Sequence, residues 1–114
     1  MSTLDVEHAA VALRFAEALM SGDFRGAHAL LALPLAAELS PSDLEIRYNE
    51  MLALYEDVPP VRVEVTGTLE EWSGKQEGDR GWAFVAIDGP NYAEGVAVIV
   101  TQESLIRDVE WGGP

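Results

Sequence analysis

The chain has 114 residues, 48% of them hydrophobic and 24% charged, which fits one soluble globular domain spanning residues 1–114 and leaves too little chain for two cores. Twenty acidic against seven basic residues give a net charge of −13, a field that repels phosphate backbones and anionic lipid, so neither nucleic acid nor a membrane surface is expected as a partner. No cysteine is present, which excludes disulfides and thiolate metal sites and points to a reducing cytoplasm; the early acidic residues Asp5 and Glu7 argue against a secretory leader.

Residues 4–21 read as a first helix. Val6, Ala9, Ala10, Leu13, Ala16 and Met20 recur at three- and four-residue spacing, with Phe15 and Leu19 widening the apolar stripe. Asp5 and Glu7 complement the dipole of its first turn, and Ser21-Gly22 ends it. Asp23 caps a second helix from Phe24 to about Leu33, which Pro34 terminates. Leu35–Leu39 is an apolar connector that suits either a helical turn or a short strand. Ser40-Pro41-Ser42-Asp43 then starts a third helix running to about Glu56, with Ser40 as N-cap, Pro41 in the first turn and Asp43 closing a capping box. Leu44, Tyr48, Met51, Leu52 and Tyr55 line one face of it. Val58-Pro59-Pro60 breaks the helix.

Four strands follow with no helix between them. Val61, Val63, Val65 and Leu69 alternate with polar residues, so the first strand has one wet face. Trp72 closes it, and residues 73–79 form a polar loop. Gly81–Ile87 and Tyr92–Thr101 are two apolar runs flanking Asp88-Gly89-Pro90-Asn91, which predicts a hairpin with a four-residue loop. Both runs are apolar at nearly every position, the pattern of strands buried on two faces. A last strand runs from Leu105 to Trp111. Helices first and antiparallel strands after give an α+β fold, with three helices packed on one face of a curved, mainly antiparallel four-stranded sheet.

The helix–Gly-Asp–helix junction, Leu13-Arg14-Phe15-Ala16-Glu17-Ala18-Leu19-Met20-Ser21-Gly22-Asp23-Phe24, and the ending Ile106-Arg107-Asp108-Val109-Glu110-Trp111-Gly112 resemble the nuclear-transport-factor-2-like superfamily. That resemblance implies a cystatin-like α+β cone. It covers nearly the whole chain in layout and spans isomerases, cyclases, dehydratases and non-catalytic pocket or dimer modules, so fold alone does not choose among them. Isomerase-like members carry a tyrosine donor on the first helix, where this chain has Phe15. Their carboxylate base follows the second helix, where Ala32-Leu33-Pro34-Leu35-Ala36-Ala37 holds no acid. Cyclases and dehydratases of the fold use Asp–His pairs, and this chain has only His8 and His28.

The residue types themselves leave several readings. Tyr48 and Tyr55 lie two helical turns apart, as core residues or as pocket donors. Trp82 and Phe84 share one strand face, as a pocket wall or a dimer seam. Glu94 interrupts an apolar strand, as a solvated edge residue or as a base raised by burial. With Phe15 and Leu52 these form the ligand-pocket set: Phe15, Tyr48, Leu52, Tyr55, Trp82, Phe84 and Glu94. His28 is expected at the core boundary with one hydrogen bond and His8 near the surface. No catalytic set, metal site or cofactor motif is expected. The expected role is a non-catalytic pocket or dimerisation domain that pairs through its sheet and accepts a small apolar ligand. The alternatives are a small enzyme acting on an apolar carbonyl, with Tyr48, Tyr55 and Glu94 together in its site, and an acidic immunity-type protein that neutralises a basic partner.

Overall fold

A computed structural model describes residues 6–55 and 57–112. Four short helices lead: α1 (Glu7–Ser21), α2 (Phe24–His28), α3 (Leu33–Glu38) and α4 (Pro41–Met51), the last followed by a 3-10 turn at Ala53–Tyr55. Strands β1 (Arg62–Leu69), β2 (Asp79–Asp88), β3 (Ala93–Thr101) and β4 (Ile106–Trp111) then form an antiparallel meander in the order β1-β2-β3-β4. The fold is therefore α+β, helices on a sheet, and no helix among the described residues is long and apolar enough to cross a membrane.

In α1, Ala9, Val11, Ala12, Phe15, Ala16 and Leu19 are fully buried, a face rotated from the expected stripe: Ala10, Leu13 and Met20 are only partly buried, and Val11 and Ala12 take their place beside Phe15 and Leu19. Gly22 takes φ +80°, and the Asp23 N–H reaches back to the Ala18 carbonyl at 2.8 Å, closing the helix end. The expected start at residue 4 and the contribution of Asp5 lie outside the described residues. The later helix, expected to run to about Glu56, instead ends at Met51: Leu52 leaves the helical conformation and only a 3-10 turn follows over Ala53–Tyr55.

Asp23 caps α2 as expected, its Oδ1 accepting from the Gly26 N–H at 3.0 Å. The helix nevertheless ends at His28, five residues short of Leu33. Leu31 is taken instead by a parallel bridge to Ile106: the Ile106 N–H donates to the Leu30 carbonyl at 2.8 Å and the Ala32 N–H to the Ile106 carbonyl at 2.7 Å. This contact joins residues far apart in the chain, so no local signal announces it. Pro34 opens α3 rather than ending α2, a position where its missing N–H costs nothing. The Leu35–Leu39 connector thus resolves as helix up to Glu38. The capping box of α4 is complete: Ser40 Oγ accepts from the Asp43 N–H at 3.1 Å, and Asp43 Oδ2 accepts from the Ser40 N–H at 3.0 Å.

The helix-side face of the sheet carries Ala83, Val85 and Ile87 from β2 and Val96, Val98 and Val100 from β3, all fully buried against the α1 stripe. Leu44 of α4 and Ile106 of β4 complete this core. The region between helices and sheet is filled by side chains. On the other face Trp82, Phe84, Ala86 and Ile99 are half-buried, so the strands are not covered on both sides by this chain alone. β1 also departs from simple alternation. A bulge between Val65 and Gly67 shifts the register, so Val63 and Val65 face the helices while Leu69 pairs with Trp82 on the opposite face and is 45% exposed.

One ion pair ties the strand ends together. The Arg107 guanidinium grips Asp79 through Nε at 2.7 Å and a terminal nitrogen at 2.8 Å, and the Gln76 N–H donates to the same carboxylate at 2.9 Å. These bonds hold the nearly buried Asp79 carboxyl below the usual carboxylate range.

Candidate functional site

The end of α4 is where the structure concentrates unusual chemistry. Tyr48 and Leu52 lie one turn apart on its inner face, and Tyr55 follows in the 3-10 turn. The chain then turns through Val58-Pro59-Pro60 before entering β1. Met20 approaches from the end of α1. Together with Asn49 and Ala53 these residues line a cleft of about 460 Å³. That lies in the range of roughly 300–1,000 Å³ common for small-molecule sites. No carboxylate, cation, imidazole or thiol is among the lining residues. Asn49 and Tyr55 are the cleft's polar members. Leu54 and Val61, next in the chain to lining residues, are 89% and 65% exposed.

Three tyrosines organise the wall. Tyr92, from the β2–β3 loop, stacks on Tyr55 with ring centroids 4.0 Å apart and planes 7° from parallel. Its hydroxyl donates to the Val58 carbonyl at 2.6 Å, which pins the hairpin loop to the segment before β1. Tyr48 is only 7% exposed, and its hydroxyl finds no hydrogen-bond partner among the described residues. Burial, with a smaller contribution from Tyr92, pushes the Tyr48 hydroxyl up to about 12. It stays protonated at neutral pH and is a hydrogen-bond donor without an acceptor among the described residues, enclosed by packing rather than open to the cleft.

The remaining pocket residues expected from the sequence go elsewhere. Phe15 is fully buried in the core, its ring 6.4 Å from that of Trp111, and does not line the cleft. Trp82 and Phe84 point to the sheet face away from the helices, because the alternate residues Ala83 and Val85 occupy the helix side. Glu94 pairs with Ile87 and so shares the helix-side face, but at its open end. There it lines a separate groove of about 300 Å³ with Arg47, Glu50, Met51, Trp111 and Gly112. The structure thus brings Tyr48, Leu52 and Tyr55 together and leaves Phe15, Trp82, Phe84 and Glu94 apart from them. Tyr48, Tyr55 and Glu94 do not form one constellation.

The two histidines differ. His28 Nε2 lies 2.9 Å from the Ala36 carbonyl, the boundary hydrogen bond expected of it, and it ties α2 to α3. His8, expected near the surface, is buried instead at 3% exposure. Its ring lies flat over Gly81, where any Cβ would collide with it. Burial lowers its pKa, with the nearby Glu70 opposing and Arg80 assisting. No group of three or more potential metal ligands occurs among the described residues.

Met20, Tyr92 and the Pro59-Pro60 pair are site residues that sequence reasoning did not single out. The prolines read only as a helix breaker and Tyr92 only as the start of a strand. A tyrosine directly after a Gly-Pro-Asn turn, facing a Pro-Pro segment, is the signal that was present. The chain matches no protein-family model, no curated protein and no solved structure.

Proposed function

We propose that this chain is a non-catalytic binding domain for a small apolar molecule, seated in the cleft between the end of α4 and Val58-Pro59-Pro60. The observation that carries the reading is the cleft itself, about 460 Å³, lined mainly by the apolar surfaces of Met20, Leu52, Val58, Pro59 and Pro60, with Asn49 and Tyr55 as its polar members. The lining residues offer no acid–base pair, which favours binding over reaction. The same reading makes the chain a divergent relative of the nuclear-transport-factor-2-like superfamily, working in the cytoplasm and using the margin of the cone rather than its interior.

Filling the cleft tests the proposal. Ala53 is exposed and lines it, so Ala53→Trp occupies the space without disturbing the core. Naphthalene-ring compounds at saturating concentration should raise the melting temperature of the natural chain by several degrees, since a ligand at a hundred times its Kd adds about 2.7 kcal/mol. Ala53→Trp should lose that response. An equal response in both proteins would overturn the reading.

A second reading rests on a different observation. Trp82, Phe84 and Ile99 form a partly buried apolar strip on the sheet face away from the helices, with the exposed Leu69 beside it. A second copy packed there, sheet on sheet, would cover the strip and give a homodimer. Two bodies of charge −13 repel, so such a dimer should tighten as salt is raised. Light scattering that finds a monomer at micromolar concentration in both low and high salt would end this reading.

A further inference from the structure

We infer that the groove beside Trp111, separate from the cleft above, binds an amino-acid-like zwitterion: a primary ammonium joined to a carboxylate by a short apolar spacer. The groove is about 300 Å³ and lies between α4 and the neighbouring ends of β3 and β4. That is the small end of the range of roughly 300–1,000 Å³ for small-molecule sites, and it suits a molecule the size of one amino acid.

Local geometry brings the lining groups together. Arg47, Glu50 and Met51 stand at i, i+3 and i+4 on α4, so they share one side of the helix. On the sheet, Trp111 pairs with Val96, and Glu94 lies two residues before Val96 on the same face. Glu94 and Trp111 are therefore diagonal neighbours. The Gly112 N–H donates to the Gly95 carbonyl at 2.9 Å, which holds the end of β4 against β3 at this point. Trp111 and Met51 pack against the core and supply an apolar floor.

The charges over this floor do not neutralise one another. The ion pairs among the described residues are Arg62–Asp88, Lys75–Glu71 and Arg107–Asp79, so Arg47, Glu50 and Glu94 belong to none. Asp43, one turn before Arg47, is engaged in capping α4. Glu50 from the helix and Glu94 from the sheet bring two carboxylates to one groove, a like-charge arrangement that a bound cation relieves. A primary ammonium offers N–H donors to both, and the Trp111 ring adds cation–π attraction. The net charge of −13 draws the ammonium and disfavours a bare anion. Arg47 reverses that preference at one end of the groove. It stands about 4.5 Å along the helix axis from Glu50, and its guanidinium is the matching donor for a carboxylate. A ligand with its two charges a few bonds apart meets both ends at once.

The test uses three probes of one chain length on the full chain: γ-aminobutyrate, butylamine and butyrate. NMR titrations are read on the Trp111 indole N–H and the Met51 methyl group. A charge contact at such an exposed site is worth up to about fivefold in affinity, so γ-aminobutyrate should bind about threefold or more tightly than either single-charge probe. Arg47→Gln should abolish its advantage over butylamine and leave butylamine bound no more weakly. Glu94→Gln should weaken γ-aminobutyrate and butylamine alike, by about threefold. Butylamine binding the natural chain as tightly as γ-aminobutyrate, an advantage that survives Arg47→Gln, or tightest binding by butyrate would overturn the zwitterion class. No response at Trp111 and Met51 to any of the three probes would overturn the groove as a site. Neither result bears on the cleft, whose binding is read on Leu52 and Tyr55.

Discussion

Replacing Phe15 by tyrosine asks most directly whether the interior of this fold is closed. The residue is fully buried, lies against Trp111, and belongs to a core of fully buried aliphatic side chains. A hydroxyl added there meets packed carbon on the helix side of the sheet. Leaving it without a partner costs about 1–3 kcal/mol. Making room for it in a filled core costs about another 1–3 kcal/mol. Phe15→Tyr should therefore destabilise the protein by about 2–6 kcal/mol, a large share of the roughly 5–15 kcal/mol of a domain. Phe15→Ala should cost about 3–5 kcal/mol through the cavity it leaves. Urea unfolding followed by far-UV circular dichroism measures both, with the midpoint falling and the slope unchanged. If Phe15→Tyr stays within about 0.5 kcal/mol of the natural chain, a polar partner and free space exist inside the cone. The enzyme reading, with a donor on the first helix, would then return.

Other outcomes follow from particular contacts. Asp79→Ala strands Arg107, but Arg107 is partly solvated, so the loss should sit near the lower end of the roughly 3–5 kcal/mol seen when a buried pair is broken; urea unfolding reads it. Arg107 also holds the Asp79 pKa down in the folded state, so the stabilisation it supplies is complete above the ordinary aspartate value and is lost as pH falls through the lower, folded value. His8 has its folded pKa depressed by burial, so the unfolded chain takes up the proton first and stability falls as pH drops below about 6.5; His8→Leu should flatten that limb in a pH series of melting temperatures. Ser40→Ala removes the acceptor for the Asp43 N–H and should cost about 1 kcal/mol in the same assay.

Much of the architecture was legible because its causes are local. The Ser40–Asp43 capping box, the Gly22 helix end and the 3.6-residue stripe of α1 each depend on residues within one or two turns of one another. The hairpin loop was legible for the same reason, and the Gly89 N–H does donate across it to the Tyr92 carbonyl at 3.0 Å. What escaped was non-local. The early end of α2 is imposed by Ile106, and the exposure of Leu69 by a bulge opposite β2. Two-sided apolar strands do not reveal which face meets the helices, so Trp82 and Phe84 could be grouped together but not oriented. His8 follows from Gly81, seventy-three positions away, whose missing side chain makes room for the imidazole. The site shows the same division. Tyr48, Leu52 and Tyr55 share one helix-derived face and were grouped from their spacing, whereas Tyr92 and Pro59-Pro60 reach them only through the fold.

The account stands or falls on where small apolar molecules settle. A crystal of the full chain soaked with a naphthalene-ring compound should show the ring between Tyr55 and the Pro59-Pro60 segment. Density for the ring beside Glu94 and Trp111, or against the Trp82–Phe84 strip, with the Tyr48 cleft unoccupied, would contradict it.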